Sequence, residues 1–250
     1  MGYVFERLGT TQLTSGAVIV SDPCYELGTW CQGRLDSVAK GTWHAAIVKN
    51  DDSATNDSWE QNRVRELILL HEDHRHLFTD VESGEETYYA DWTHAPFHVG
   101  VDSGQAGIFD AAIYRDDAAI RAQDGDLLAS SWMKPRPQYN QGEFYATMSG
   151  LSCKNNRGCA GTFSRGAVSA SGYGDGGYDC FYLQVNGDIV GIAIIFIDDR
   201  DDEDDDDEAE DIAAPSDELT TLMASGDPID LLYRNTLKNM GADNAADTDK

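Results

Sequence analysis

The chain has 250 residues and a formal net charge of −27, with 41% hydrophobic residues, five Trp, eleven Tyr and eight Phe. That length and aromatic content suffice for one large buried core without staples. So acidic a chain repels phosphates and anionic lipid heads, which argues against direct nucleic-acid binding and against a membrane partner.

Strand-forming segments recur in chain order, with turn signals between them. YVFERL (3–8), AVIV (17–20) and GTWHAAIV (41–48) come first. RVRELILLHE (63–72) fits helix or strand; a strand paired with 41–48 across the polar loop NDDSATNDS is preferred. FHVGV (97–101) and AGIF (106–109) bracket a Ser-Gly turn. Asp110 is placed to cap a short helix reaching Ala119, and EFYATM (143–148) reads as another strand. Residues 162–171, 178–185 and 188–197 read as a three-stranded meander, its last turn marked by Asn186-Gly187. The expected class is α+β, β-dominated, with antiparallel sheets and an internal pseudo-twofold repeat.

The domain is expected to span residues 1–197. Residues 198–218 hold fourteen acids against one Arg, about half of the charge excess. Like charges at that density favour a solvated linker. A short amphipathic helical tail is expected over 219–241, with Asp227-Pro228 as its best start signal; 228–240 would dock on a protein partner or fold back on its own domain. Residues 242–250 are expected to be disordered. Residues 219–250 add five Asp against three bases, and 1–197 carries the rest of the excess, which suits a high-salt proteome better than mimicry of DNA. No apolar leader opens MGYVFERLGT and no run is long enough to span a bilayer, so a cytoplasmic protein with free thiols is expected.

The repeat is Ser15-Gly16 leading to Asp22, echoed by Ser103-Gly104 leading to Asp110. In each, a turn feeds a small apolar strand and an Asp emerges at its end. Asp22 and Asp110 are therefore candidate catalytic carboxylates, together with Asp175; the plainer reading is that each caps the next turn. Cys24, in SDPCY, is a candidate nucleophile. The loop SGYGDGGYD (171–179) offers Tyr173, Gly174, Asp175, Gly176, Tyr178 and Asp179 to a ligand, because its glycines let backbone approach closely; a wide hairpin loop is the plainer reading. No phosphate-loop pattern is present. His71, His74 and His76 in HEDHRH are weak zinc candidates, and a polar loop is preferred there. No cofactor motif appears; a divalent ion held by carboxylates is the one candidate.

VSDPCY, VDSGQAGIFDAAIY and SGYGDGGYDCF together resemble a domain-of-unknown-function family of bacterial and phage proteins that carries DPCY-like, DSG-like and GDG motifs in this order. The resemblance covers roughly residues 15–197. It implies matching positions at Asp22, Cys24, Tyr25, Asp102, Ser103, Gly104, Gly174, Asp175 and Gly176, and no activity. The preferred expectation is a phage- or mobile-element-associated binding protein, sequestering a small ligand or docking on a host protein. Alternatives are a metal-assisted hydrolase or transferase using Asp22, Asp110 and Asp175, a DNA mimic, and a virion component. The motif elements are expected to converge on one pocket.

Overall fold

A computed structural model describes residues 2–51, 61–83, 89–152 and 159–198. The acidic segment from 199 onward and the expected tail helix lie outside the described residues.

Among the described residues two antiparallel sheets dominate, with four short α-helices. The six-stranded sheet contains β1 (Tyr3–Leu13), β4 (Gly41–Asn50), β5 (Val64–His71), β6 (Thr93–Val101), β10 (Gly176–Val185) and β11 (Asp188–Ile195), in the order β1-β4-β5-β11-β10-β6. The five-stranded sheet contains β2 (Ala17–Ser21), β3 (Gly33–Asp36), β7 (Gln105–Asp110), β8 (Ala160–Phe163) and β9 (Gly166–Ala170), in the order β3-β2-β7-β9-β8. The sheets pack face to face through Val18, Val20 and Ile108 on one side and Trp43, Ile47, Leu67 and Ile192 on the other. The outer face of the six-stranded sheet is covered around Phe78 and Trp92, by α1 (Phe78–Ser83) and its flanks. The outer face of the five-stranded sheet lies under α2 (Asp117–Gln123), α3 (Gly125–Ser130) and α4 (Glu143–Ser152). Both faces being covered explains why β2, β5 and β11 carry continuous apolar runs instead of alternating ones.

The preferred pairing of 41–48 with 63–72 is present, from Trp43↔His71 to Val48↔Glu66. The Asn186-Gly187 turn joins β10 to β11 with φ of 53° and 94°, the left-handed pair a type I′ turn needs. The meander is corrected. Ser164-Arg165 breaks 162–171 into the β8–β9 hairpin, and that hairpin belongs to the other sheet. The glycine loop between Ala170 and Gly176 thus carries the chain from sheet to sheet, and β10 finds β6 as its second neighbour. The Ser103-Gly104 turn does the same between β6 and β7, so it closes no hairpin. The two crossovers touch, Ser171 N donating to Gly104 O at 3.2 Å.

EFYATM is helical, within α4. Phe144, Met148 and Leu151 recur at helical spacing and pack on the five-stranded sheet. The Asp117 carboxylate accepts from Phe144 N at 2.8 Å and satisfies one of the first free N–H groups. Helix α2 (Asp117–Gln123) is capped by Asp116, whose Oδ1 accepts from Ala118 N and Ala119 N; Asp110 ends β7 instead.

No helix among the described residues is long and apolar enough to cross a membrane.

Candidate functional site

Where β2 leaves its sheet, Asp22 turns inward and is completely buried. Its Oδ2 accepts from Asp102 N (2.9 Å) and Ser103 N (2.7 Å); its Oδ1 accepts from Cys24 N (2.8 Å) and Ser103 Oγ (2.7 Å). Four donors fill the four lone-pair positions of a carboxylate. Asp22 therefore stitches the 22–25 turn to the 102–104 crossover, its acceptor positions directed at donors from within the fold. The carbonyls of the turn are held from the other side. Tyr114 Oη donates to Tyr25 O at 2.8 Å and accepts from Gln32 Nε2 at 2.8 Å. Arg115 Nη1 donates to Cys24 O at 2.6 Å, and Nη2 to Asn140 O. Arg115 sits at φ 59°, a left-handed conformation unusual for a bulky residue.

Asp110 repeats the arrangement at the far end. Its Oδ2 accepts from Thr14 N (2.6 Å) and Ser15 N (3.1 Å), its Oδ1 from Ala112 N (3.0 Å), and Arg165 Nη2 lies 3.0 Å from Oδ2. Burial alone would raise this carboxyl, but the donors from Thr14, Ser15 and Ala112 outweigh it and hold the group below its ordinary 3.8. Strands β2 and β7 run antiparallel with Val20 opposite Ile108, the pair on which the sequence echo maps onto itself. The pseudo-twofold is thus a local one. Antiparallel pairing also sends the two carboxylates apart: Ser21 faces Gly107 and Val18 faces Asp110, which separates Asp22 from Asp110 by roughly 13 Å at about 3.3 Å per residue. The expected convergence of Asp110 with Asp22 is therefore corrected.

The glycine loop does meet the Asp22 end. Gly176 pairs with Val101, so Asp175 and Asp102 each follow or precede that pair by one residue at the corner, both exposed. Of the loop's glycines, Gly172 and Gly174 adopt positive φ, 54° and 107°, while Gly176 and Gly177 are strand residues. Gly174 N donates to Ser171 O at 2.8 Å and Tyr178 Oη donates to Gly174 O at 2.8 Å. Tyr178 is thus a buried brace. Arg63 donates to Gly172 O at 2.6 Å and lies over the half-exposed Tyr173 ring at 4.8 Å. Asp179 faces elsewhere, its Oδ1 taken by His98 Nδ1 (2.8 Å) and His94 Nε2 (3.1 Å).

At the corner, burial, then the charge of Asp22 and a hydrogen bond to it, push the Cys24 thiol far above its ordinary value. Both effects favour the thiol over the thiolate that a nucleophile needs. Burial, then a hydrogen bond to Asp102, pushes the Tyr25 phenol up as well. Burial pushes Tyr114 up to about 12. Next to the clamp lies a cavity of about 190 Å³, lined by Arg115, Asp117, Pro137, Asn140, Gly142, Phe144 and Tyr145.

His71 accepts weakly from Asp73 N (3.4 Å) and stands edge-on to Trp43, and the His74 and His76 rings lie 6.2 Å apart. Among the described residues, no group of three or more His, Cys, Asp or Glu is placed to hold a metal ion. Sequence reasoning missed the clamp role of Tyr114 and Arg115, and it missed Gln32 and Tyr145 altogether. The one usable signal was that Tyr25 and Tyr114 follow Asp22 and Asp110, the two ends of the echo, at nearly equal distances.

A family model described as Protein of unknown function (DUF4241) matches residues 11–194, a span that includes the whole corner. No curated protein and no solved structure matches the chain.

Proposed function

The chain belongs to the DUF4241 family, and we propose that it is a binding protein whose corner of loops recognises a partner without transforming it. The observation that carries this reading is the occupancy of Asp22: four internal donors hold it, and nothing of it is exposed. The same holds in outline for Asp110, and the Cys24 thiol is kept neutral. Carboxylate or thiol catalysis in this corner would need a carboxylate with an unfilled lone pair or a cysteine that reaches its thiolate. Here the buried polar groups serve to hold three loops still. What they hold outward is Asp102, Asp175 and the Tyr173 ring. Rigid loops with exposed polar and aromatic groups bind well, because little conformational freedom is lost on association.

Native mass spectrometry of the chain purified from its own host tests the proposal. A bound molecule or protein should be retained by the unmutated chain and lost from Asp102→Asn/Asp175→Asn, with melting temperature unchanged. Retention that ignores those substitutions, or a bound species released chemically altered, would overturn it.

A further inference from the structure

The segment between β2 and β3 ends in a tip, residues 26–30, that is built and yet almost wholly in water. Trp30 is 93% exposed and Leu27 66%. The tip is not slack. Gly28 N and Thr29 N both donate to Gln32 Oε1, at 2.9 and 3.2 Å, and Thr29 Oγ1 donates to Glu26 O at 2.7 Å. Glu26 in turn accepts from Asn140 Nδ2 at 2.8 Å. Both ends are anchored as well. The 22–25 turn is clamped as described above. At the other end Cys31 O accepts from Gly100 N at 3.0 Å, and the Phe97 ring lies against Gly33 so closely that a Cβ there would sit 1.8 Å from it.

A Trp held in solvent by a braced loop has the properties of an interface anchor: large apolar area, few rotamers, and an ordering cost already met within the fold. Building on the binding role proposed above, we infer that Leu27 and Trp30 form the apolar anchor for a protein partner with an apolar cleft rimmed by Lys and Arg. Charge selects that partner. The chain carries −27, and Glu26 and the exposed Asp102 belong to the same corner. A second copy of this chain would bring the same charge to the interface and be repelled.

The test places a photo-crosslinking residue at position 27, at 175 or at 126 (an exposed position on α3) in the full chain expressed in its own host. Position 27 should capture one protein with a basic surface, and 126 should not. The purified partner should then bind the unmutated chain at least about thirty-fold more tightly than Trp30→Ala, the hot-spot threshold of ~2 kcal/mol at ~1.4 kcal/mol per tenfold. The Trp30→Ala melting temperature should stay unchanged, because almost none of the ring is buried. Three results overturn the inference: no capture at 27, an acidic partner, or equal affinity of Trp30→Ala. Capture through 175 without 27 overturns it and leaves the corner's binding role standing. Capture through neither removes both.

Discussion

Asp22 and Asp110 each close the loop that opens the other's strand: Asp22 accepts from Asp102 N and Ser103 N just before β7, and Asp110 accepts from Thr14 N and Ser15 N just before β2. The two β-strands are thereby locked end to end by a reciprocal pair of buried carboxylates. In Asp22→Asn the amide would turn an NH₂ toward the two N–H groups or leave them unpaired, and the charge-assisted bonds would be lost. The expected cost is roughly 2–4 kcal/mol in a urea titration. Asp110→Asn should cost a similar amount, since Arg165 loses its partner there. The sites share no donor and lie at opposite ends of the ladder, so the double variant should be additive within about 0.5 kcal/mol. A coupling of 1 kcal/mol or more would show that the lock acts as one unit.

Asp110 also sets an acid limb of stability. Its folded pKa lies below the ordinary 3.8. A depressed carboxylate contributes stability that is fully present above the unfolded value and is lost as pH falls through the folded one. The stability gap between the unmutated chain and Asp110→Asn should therefore be constant from about pH 7 to 5 and close below about 3.8. Urea midpoints measured over that range decide it; a gap that persists to pH 2 would remove the buried-carboxylate account.

Much of the strand inventory was legible, for a physical reason. Runs such as Leu67–Leu70 and Ile189–Ile195 are too short for a long helix and too apolar for a surface, so they read as strands buried on both faces. The Asn186-Gly187 turn was legible because its backbone demand is local. Sheet membership was not. A Ser-Gly or Gly-rich stretch closes a hairpin or crosses between sheets with the same composition, and only long-range packing separates the two. Helix α4 was hidden because Phe144, Tyr145 and Thr147 are good strand formers, while the helical spacing that includes Leu151 spans Gly150. The Asp22–Asp110 echo was visible, but its meaning was not. A carboxylate filled by four backbone and hydroxyl donors and one poised for catalysis look alike in sequence, because the donors come from residues far along the chain.

The glycine loop separates fold signature from recognition surface. Gly172 has φ 54°, and a Cβ there would meet Phe196 Cβ at 2.9 Å and Val64 O at 3.1 Å. Gly172→Ala should cost roughly 2–4 kcal/mol from left-handed strain plus overpacking. Around Gly177 a Cβ would meet nothing within 4 Å. Gly177→Ala should leave the melting temperature unchanged or raise it slightly, by up to ~1 kcal/mol of stability. If Gly177→Ala nevertheless weakens partner binding at least tenfold, the strand end is a close-approach surface. If it weakens nothing, the second pair of glycines serves only the chain path.

The thiol of Cys24 gives the sharpest contrast between binding and catalysis. It is only half-buried, so access alone does not protect it. Protection comes from the energetics of the thiolate: burial disfavours the charge, and Asp22 opposes a second anion beside its own. Alkylation needs the thiolate, whose population falls tenfold for each unit by which the pKa exceeds the pH. Iodoacetamide at pH 7.5 should therefore modify Cys24 in the native chain at least about a hundredfold more slowly than a free cysteine peptide. Asp22→Asn removes the neighbouring charge, so labelling should accelerate wherever the variant remains folded by circular dichroism. A nucleophilic Cys24 requires the reverse order, with rapid labelling of the unmutated chain and loss of that reactivity when Asp22 is changed. Peptide-level mass spectrometry over a time course reads both rates in one experiment, and rapid labelling of the unmutated chain would return the corner to the catalytic class.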